Sequence, residues 1–229
     1  MANLTLGHGF THFYQASFPL LVPKIMNDLG LIGVEVGALQ AARLYTSVSV
    51  ELPGGFIVDM LKRQWGLIFV GCMGFISVAW LIAGVTPNFP LLVVAVVLIS
   101  LPGSVWHLPA MAALSQRIPE RRGLAISIHG MGGNAGNIVG PLVAGTLLLG
   151  LLLLTWRQVA LVYAVPPVLI ACLFWFSLRG SGRQGTDVTK GLKARLKDAR
   201  GMFRHPSVRA VVLVAMLRGM GFNTVTLWM

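Results

Sequence analysis

The sequence predicts an all-α membrane protein: a six-transmembrane-helix bundle followed by the first helix of a second half. Three observations predict it. Of the 229 residues, 55% are hydrophobic and only 11% charged, less than half the roughly 25% charged share of a soluble domain, and the mean hydropathy is +0.77. Seven segments offer the about 20 mostly apolar residues that a helix needs to cross a bilayer: 4–25, 36–58, 66–86, 89–114, 124–152, 157–178 and 208–229. With the N-terminus inside, fourteen of the 18 Lys and Arg residues fall on the inner side of these spans, the asymmetry expected of cytoplasmic loops.

The first six spans, over 1–178, are separated by short breaks: MNDLG, LKRQW, TPN, SQRIPERR and TWRQ. MANLTLGHGF has no basic n-region and no clear cleavage site, so the first span is expected to be retained. A basic cytoplasmic linker, 179–206, follows. In it Leu192, Leu196, Ala199 and Phe203 recur at helical spacing between Lys and Arg residues, the pattern of an amphipathic helix on an anionic leaflet. Pro206 marks the break before the last segment, 207–229, the seventh helix. The net charge of +11 is therefore a topology signal on the inner face, and no nucleic-acid partner is expected. Cys72 and Cys172 each sit in an apolar run, which suggests burial rather than a disulfide framework.

An ionisable side chain at membrane depth is costly and by default marks a site or pathway. At about 1.5 Å of rise per residue, His8 and His12 lie roughly 6 and 12 Å from the inner end of span 1, with Gln15 one turn further. Glu51 in span 2, His107 in span 4 and His129 in span 5 lie roughly 12, 10 and 8 Å from their inner ends. Spans 3 and 6 contribute no such group. The distribution predicts a water-accessible cavity walled by spans 1, 2, 4 and 5, where histidines and a desolvated glutamate could exchange protons. Arg43, in the outer half of span 2, is either an anion-binding charge or a strut to backbone carbonyls. The His8–His12 spacing places both rings on one helix face, as metal ligation needs, but Glu51 and His107 would have to converge with them. No metal and no cofactor is expected on this reading.

In span 5, GMGGNAGNIVGPLVAG repeats Gly132, Gly136, Gly140 and Ala144 every fourth residue, a small-residue stripe that lets another helix come close. Pro141 adds a kink, and Gly145 follows. On these residues the sequence resembles the major facilitator superfamily. Gly136-x3-Gly140-Pro141-x2-Ala144-Gly145 is similar to its span 5 motif, with Ala144 for a glycine and Ser127 in place of the first one. GGFIVDMLKRQ resembles its loop between spans 2 and 3: Gly55, Asp59 and Arg63 match, whereas Met60, Lys62 and Gln64 depart. Ile99 stands where many drug–proton antiporters carry an arginine. Within the superfamily, PGSVWHLPAMAALSQRIPERRGLAISIHGMGGNAGNIVGP is similar to the fosmidomycin-resistance type of exporter, apart from Leu108 between His107 and Pro109.

The resemblance implies a secondary transporter of small solutes, proton-coupled and directed outward, working by alternating access in a bacterial inner membrane. It implies a latch role for Gly55, Asp59 and Arg63 in gating, a second half completing the transporter, and partners limited to solute, protons and lipid. Organic anion uptake with Arg43 as the binding charge and a non-transporting membrane scaffold or sensor remain as alternatives. A membrane enzyme is not expected: G-x-S-x-G, H-E-x-x-H and an intramembrane carboxylate pair are all missing from the sequence.

Overall fold

The computed structural model describes residues 1–61, 64–149, 153–178, 201, 204–214 and 217, without the side chains of 51–53, 56, 57, 59 and 60. The chain divides into two compact units, Met1–Gln184 and Gly185–Met229. In the second, residues 206–214 are helical, where the seventh span was expected to begin. The expected linker helix falls outside the described residues.

Six long helices build the first unit: α1 Ala2–Leu29, α2 Gly33–Met60, α3 Trp65–Val85, α4 Phe89–Arg117, α5 Arg122–Leu149 and α6 Trp156–Leu178. They match the six expected spans but overrun most of them, because helices continue into capped ends that hydropathy does not register. Gly30 stops α1 in the left-handed region (φ 65°), its N–H reaching the Met26 carbonyl, a backbone conformation that costs glycine little. The Asn88 side chain caps α4 by accepting from the Leu91 N–H at 3.1 Å, with Pro90 in the first turn. Thr155 and Gln158 cap α6 reciprocally: Gln158 Oε1 accepts from the Thr155 N–H and Thr155 Oγ1 from the Gln158 N–H.

Among the described residues, α3, α4 and α6 are long and apolar enough to cross a membrane by themselves. α1, α2 and α5 have the length, 28 residues each, but trade apolar residues for polar, charged and glycine residues. Two kinds of packing result. α3 packs on α4 and α6 through large side chains; Phe69, Met73, Trp80, Trp106 and Phe174 are fully buried. α1 packs on α5 through absent ones. A Cβ at Gly132, Gly136 or Gly140 would overlap the backbone carbonyl of Thr5, Gly9 or Phe13 in turn, and one at Gly9 would stand 3.0 Å from the Gly132 carbonyl. The predicted stripe thus meets α1 backbone to backbone. Gly145 lies outside that seam, with open space around its would-be Cβ.

α2 packs chiefly against α4. Leu108, the residue interposed between His107 and Pro109, occupies the space left by Gly54: a Cβ there would stand 2.8 Å from Leu108 Cδ1. At the end expected to face outside, Arg157 pairs with Asp28 at 2.9 Å, donates to the Thr86 carbonyl and stacks over Trp156. This ties α1, α3 and α6 together. One expectation fails here: Cys72 is buried, but Cys172 is exposed on α6. In a membrane helix an apolar neighbourhood suits the lipid face as well as the core.

Candidate functional site

The four intramembrane histidines, carried by three helices, meet. His8 is the hub. Its Nδ1 donates to the His129 carbonyl at 2.7 Å, and its Nε2 lies 2.9 Å from Nε2 of His107. The His129 ring stacks on the His8 ring, centroids 4.1 Å apart and planes within 7°. The His12 and His107 rings stand nearly perpendicular to it at 4.6 and 4.7 Å. The expected convergence of spans 1, 4 and 5 therefore exists. The fourth expected wall is α2, where the Glu51 side chain lies outside the described residues.

Local sequence explains how four rings fit. His8 and His12 are one turn apart and share a face of α1. Opposite them α5 presents Gly133, where a Cβ would come within 2.7 Å of His8 Cε1 and 3.0 Å of His12 Cδ2. One turn beyond, Asn137 faces His12 Nδ1 at 3.2 Å through Oδ1. On α4, His107 Nδ1 donates to the Gly103 carbonyl of its own helix at 2.5 Å. Exposure is graded: His8 and His129 are buried, His12 and His107 half-buried, and Asn134 and Asn137 exposed.

Gln15 extends this wall, lying across Gly103 with its amide 3.5 Å from the Ser100 carbonyl. Arg43 adopts the strut geometry: it donates to the Gln15 carbonyl at 3.0 Å and to Gln40 Oε1 at 3.1 Å, its guanidinium 5.7 Å from the Phe18 ring centre. Gly55 is half-buried on α2 with open space at its would-be Cβ. The Asp59 side chain and all of Arg63 lie outside the described residues. A cavity of about 770 Å³ lies elsewhere, an apolar groove along α1 and α5 lined by Leu6, Phe10, Phe13 and Val139 among others; no histidine lines it.

Sequence reasoning missed Gly133 and Asn137. Gly133 is off the four-residue stripe, and Asn137 is one of two asparagines in that run; only knowledge of which α5 face meets α1 separates them from their neighbours.

The family model described as Major Facilitator Superfamily matches residues 4–229. Two curated relatives are similar. One is the fosmidomycin resistance protein of Escherichia coli (strain K12), 23% identical over 148 residues, which are 65% of this chain and 36% of that protein. The other is the uncharacterized MFS-type transporter YfnC of Bacillus subtilis (strain 168), 23% identical over 147 residues, 63% of this chain and 35% of that protein. Among solved structures, a bacterial homolog of the human lysosomal transporter Spinster, inward-facing and unoccupied, aligns with a TM-score of 0.67 at 19% identity, over 84% of this chain and 45% of that one. A peptide transporter, POT, in complex with sulfate aligns with a TM-score of 0.60 at 19% identity, over 96% of this chain and 46% of that one. The chain spans about a third of the length of these curated relatives and under half of these solved chains.

Proposed function

This chain belongs to the Major Facilitator Superfamily, and from that premise we propose that it supplies the first half of a secondary active transporter that exports small solutes by alternating access. The family and the apolar helices make it an integral membrane protein. Alternating access needs two bundles rocking about a shared midplane site, so a second half is the partner this reading requires. A relative named for drug resistance supports export. Bacterial relatives and the basic inner loops support a bacterial inner membrane with the N-terminus inside.

The observation that carries the reading is the convergence of His8, His12, His107 and His129. Polar side chains gathered inside a membrane bundle are expensive to retain, and a scaffold gains nothing from the expense. Solute contact is assigned to the half-buried His12 and His107, with Gln15 beside them. Proton coupling is assigned to Glu51, the carboxylate that the sequence puts at the same depth on α2, because a desolvated carboxylate can exchange protons near neutral pH. Gly55, Asp59 and Arg63 are assigned the latch at the inner ends of α2 and α3. Arg43 is left out of the solute site, since its guanidinium is engaged by Gln15 and Gln40.

The test reconstitutes the whole transporter in proteoliposomes with a pH dye inside and presents candidate solutes under a proton gradient. The reading expects solute-dependent proton flux, abolished by Glu51→Gln, and solute binding weakened by His12→Ala. Solute flux indifferent to the gradient and to both substitutions contradicts it.

A further inference from the structure

We propose that His8, His12 and His107 form a binding site for a divalent transition-metal ion of the zinc, cobalt or nickel class. One ring nitrogen from each lies within 4.8 Å of the other two, and a small closing shift of the rings brings all three within the roughly 4.2 Å that two bonds to one ion can span. The condition that sequence alone left open, that His107 come to the His8–His12 face, is met in the fold.

The hydrogen-bond roles carry the argument further than proximity. A carbonyl oxygen can only accept, so His8 Nδ1, on the His129 carbonyl, and His107 Nδ1, on the Gly103 carbonyl, both carry the ring proton. His12 Nδ1 faces the Asn137 amide oxygen and does the same. In each neutral ring Nε2 is then left with its lone pair. Metal-bound histidines are held this way: the far nitrogen donates to a carbonyl or amide oxygen, which fixes the tautomer and orients the ring. Two of the lone pairs, on His8 and His107, face each other at 2.9 Å. Two acceptors at that distance repel unless a cation lies between them. With metal–nitrogen bonds of about 2.0–2.1 Å, that spacing corresponds to about a 90° angle at the metal.

His129 adds no ligand but stacks on His8 and steadies its plane. Entry is from the half-buried His12 and His107, past exposed Asn137. Imidazole ligands suit zinc, nickel and copper, not magnesium or calcium, which take oxygen. Three protein ligands leave a coordination position open. A dication on three neutral rings needs an anionic partner at this depth, so that position favours hydroxide or an anionic group of a solute. The proposal stands on ring geometry and holds whatever the chain transports.

The test is a titration of the purified protein, carrying a non-histidine affinity tag, with Co²⁺ followed by visible absorption, and with Zn²⁺ by equilibrium dialysis and metal analysis. The expected result is one saturable equivalent, a cobalt spectrum unlike that of the aqueous ion, displacement by Zn²⁺ and indifference to excess Mg²⁺. His12→Gln and His107→Gln should each weaken binding by at least the roughly 10–100-fold that loss of an outer-shell partner costs. Asn137→Leu should weaken it by about 10-fold while keeping one equivalent. Wild-type binding needs no variant to fold. No saturable equivalent overturns the proposal and leaves a shared proton between His8 and His107 as the bridging cation; binding unchanged in both histidine variants places the ion elsewhere and also overturns it.

Discussion

Two donors of Arg43 end on the Gln15 carbonyl and the Gln40 amide, and its charge lies near the Phe18 ring. A charged hydrogen bond contributes about 1.5–3 kcal/mol, and a buried acceptor stripped of its donor costs about 1–3 kcal/mol. Arg43→Ala is therefore expected to lower the thermal stability of the detergent-solubilised protein while leaving solute affinity nearly unchanged. Lys, with a point charge in place of a planar fork, should restore little. A variant of wild-type stability with lost solute affinity would return Arg43 to the role of anion ligand. This residue marks the limit of what its letter conveys. A lone arginine in a span fits both roles, and only the Gln15 carbonyl, 28 positions away in the chain, separates them.

The seam between α1 and α5 is made of missing side chains, so its tolerance is sharply positional. At Gly136 a Cβ would overlap the Gly9 carbonyl, a backbone atom that cannot rotate away. Gly136→Ala should cost ~1–3 kcal/mol through forced separation of the helices. Gly145 has open space, and Ala there should be neutral or stabilise slightly, since glycine inside a helix is worse than Ala by roughly 0.5–1 kcal/mol. Melting curves of the two variants check the contrast; equal loss at both would mean that the stripe acts through flexibility rather than contact. The six spans and the stripe were legible because lipid imposes length and because four-residue spacing fixes a helix face. Shared depth made the gathering of the histidines an expectation, but the ring-to-ring contacts were not legible, since they depend on which faces of α1, α4 and α5 meet. The exposure of Cys172 was misread because lipid and core ask for the same apolar residues.

In the bundle as a whole, large apolar side chains bind α3 to α4 and α6, and α1, α4 and α5 gather the histidines. The lipid-facing periphery is distinct: Phe176 on α6 is 78% exposed. On the proposed reading the histidines face a water-filled pathway rather than a sealed core. The most direct test is cysteine accessibility in a background with Cys72 and Cys172 replaced by Ser. His12→Cys, Asn137→Cys and Phe176→Cys would each be treated, in membranes, with a membrane-impermeant thiol reagent. The account predicts modification at 12 and 137 and none at 176, because the reagent needs water. Unreactive thiols at both 12 and 137, in protein shown to be folded, would contradict it and leave the histidines a structural knot between three helices.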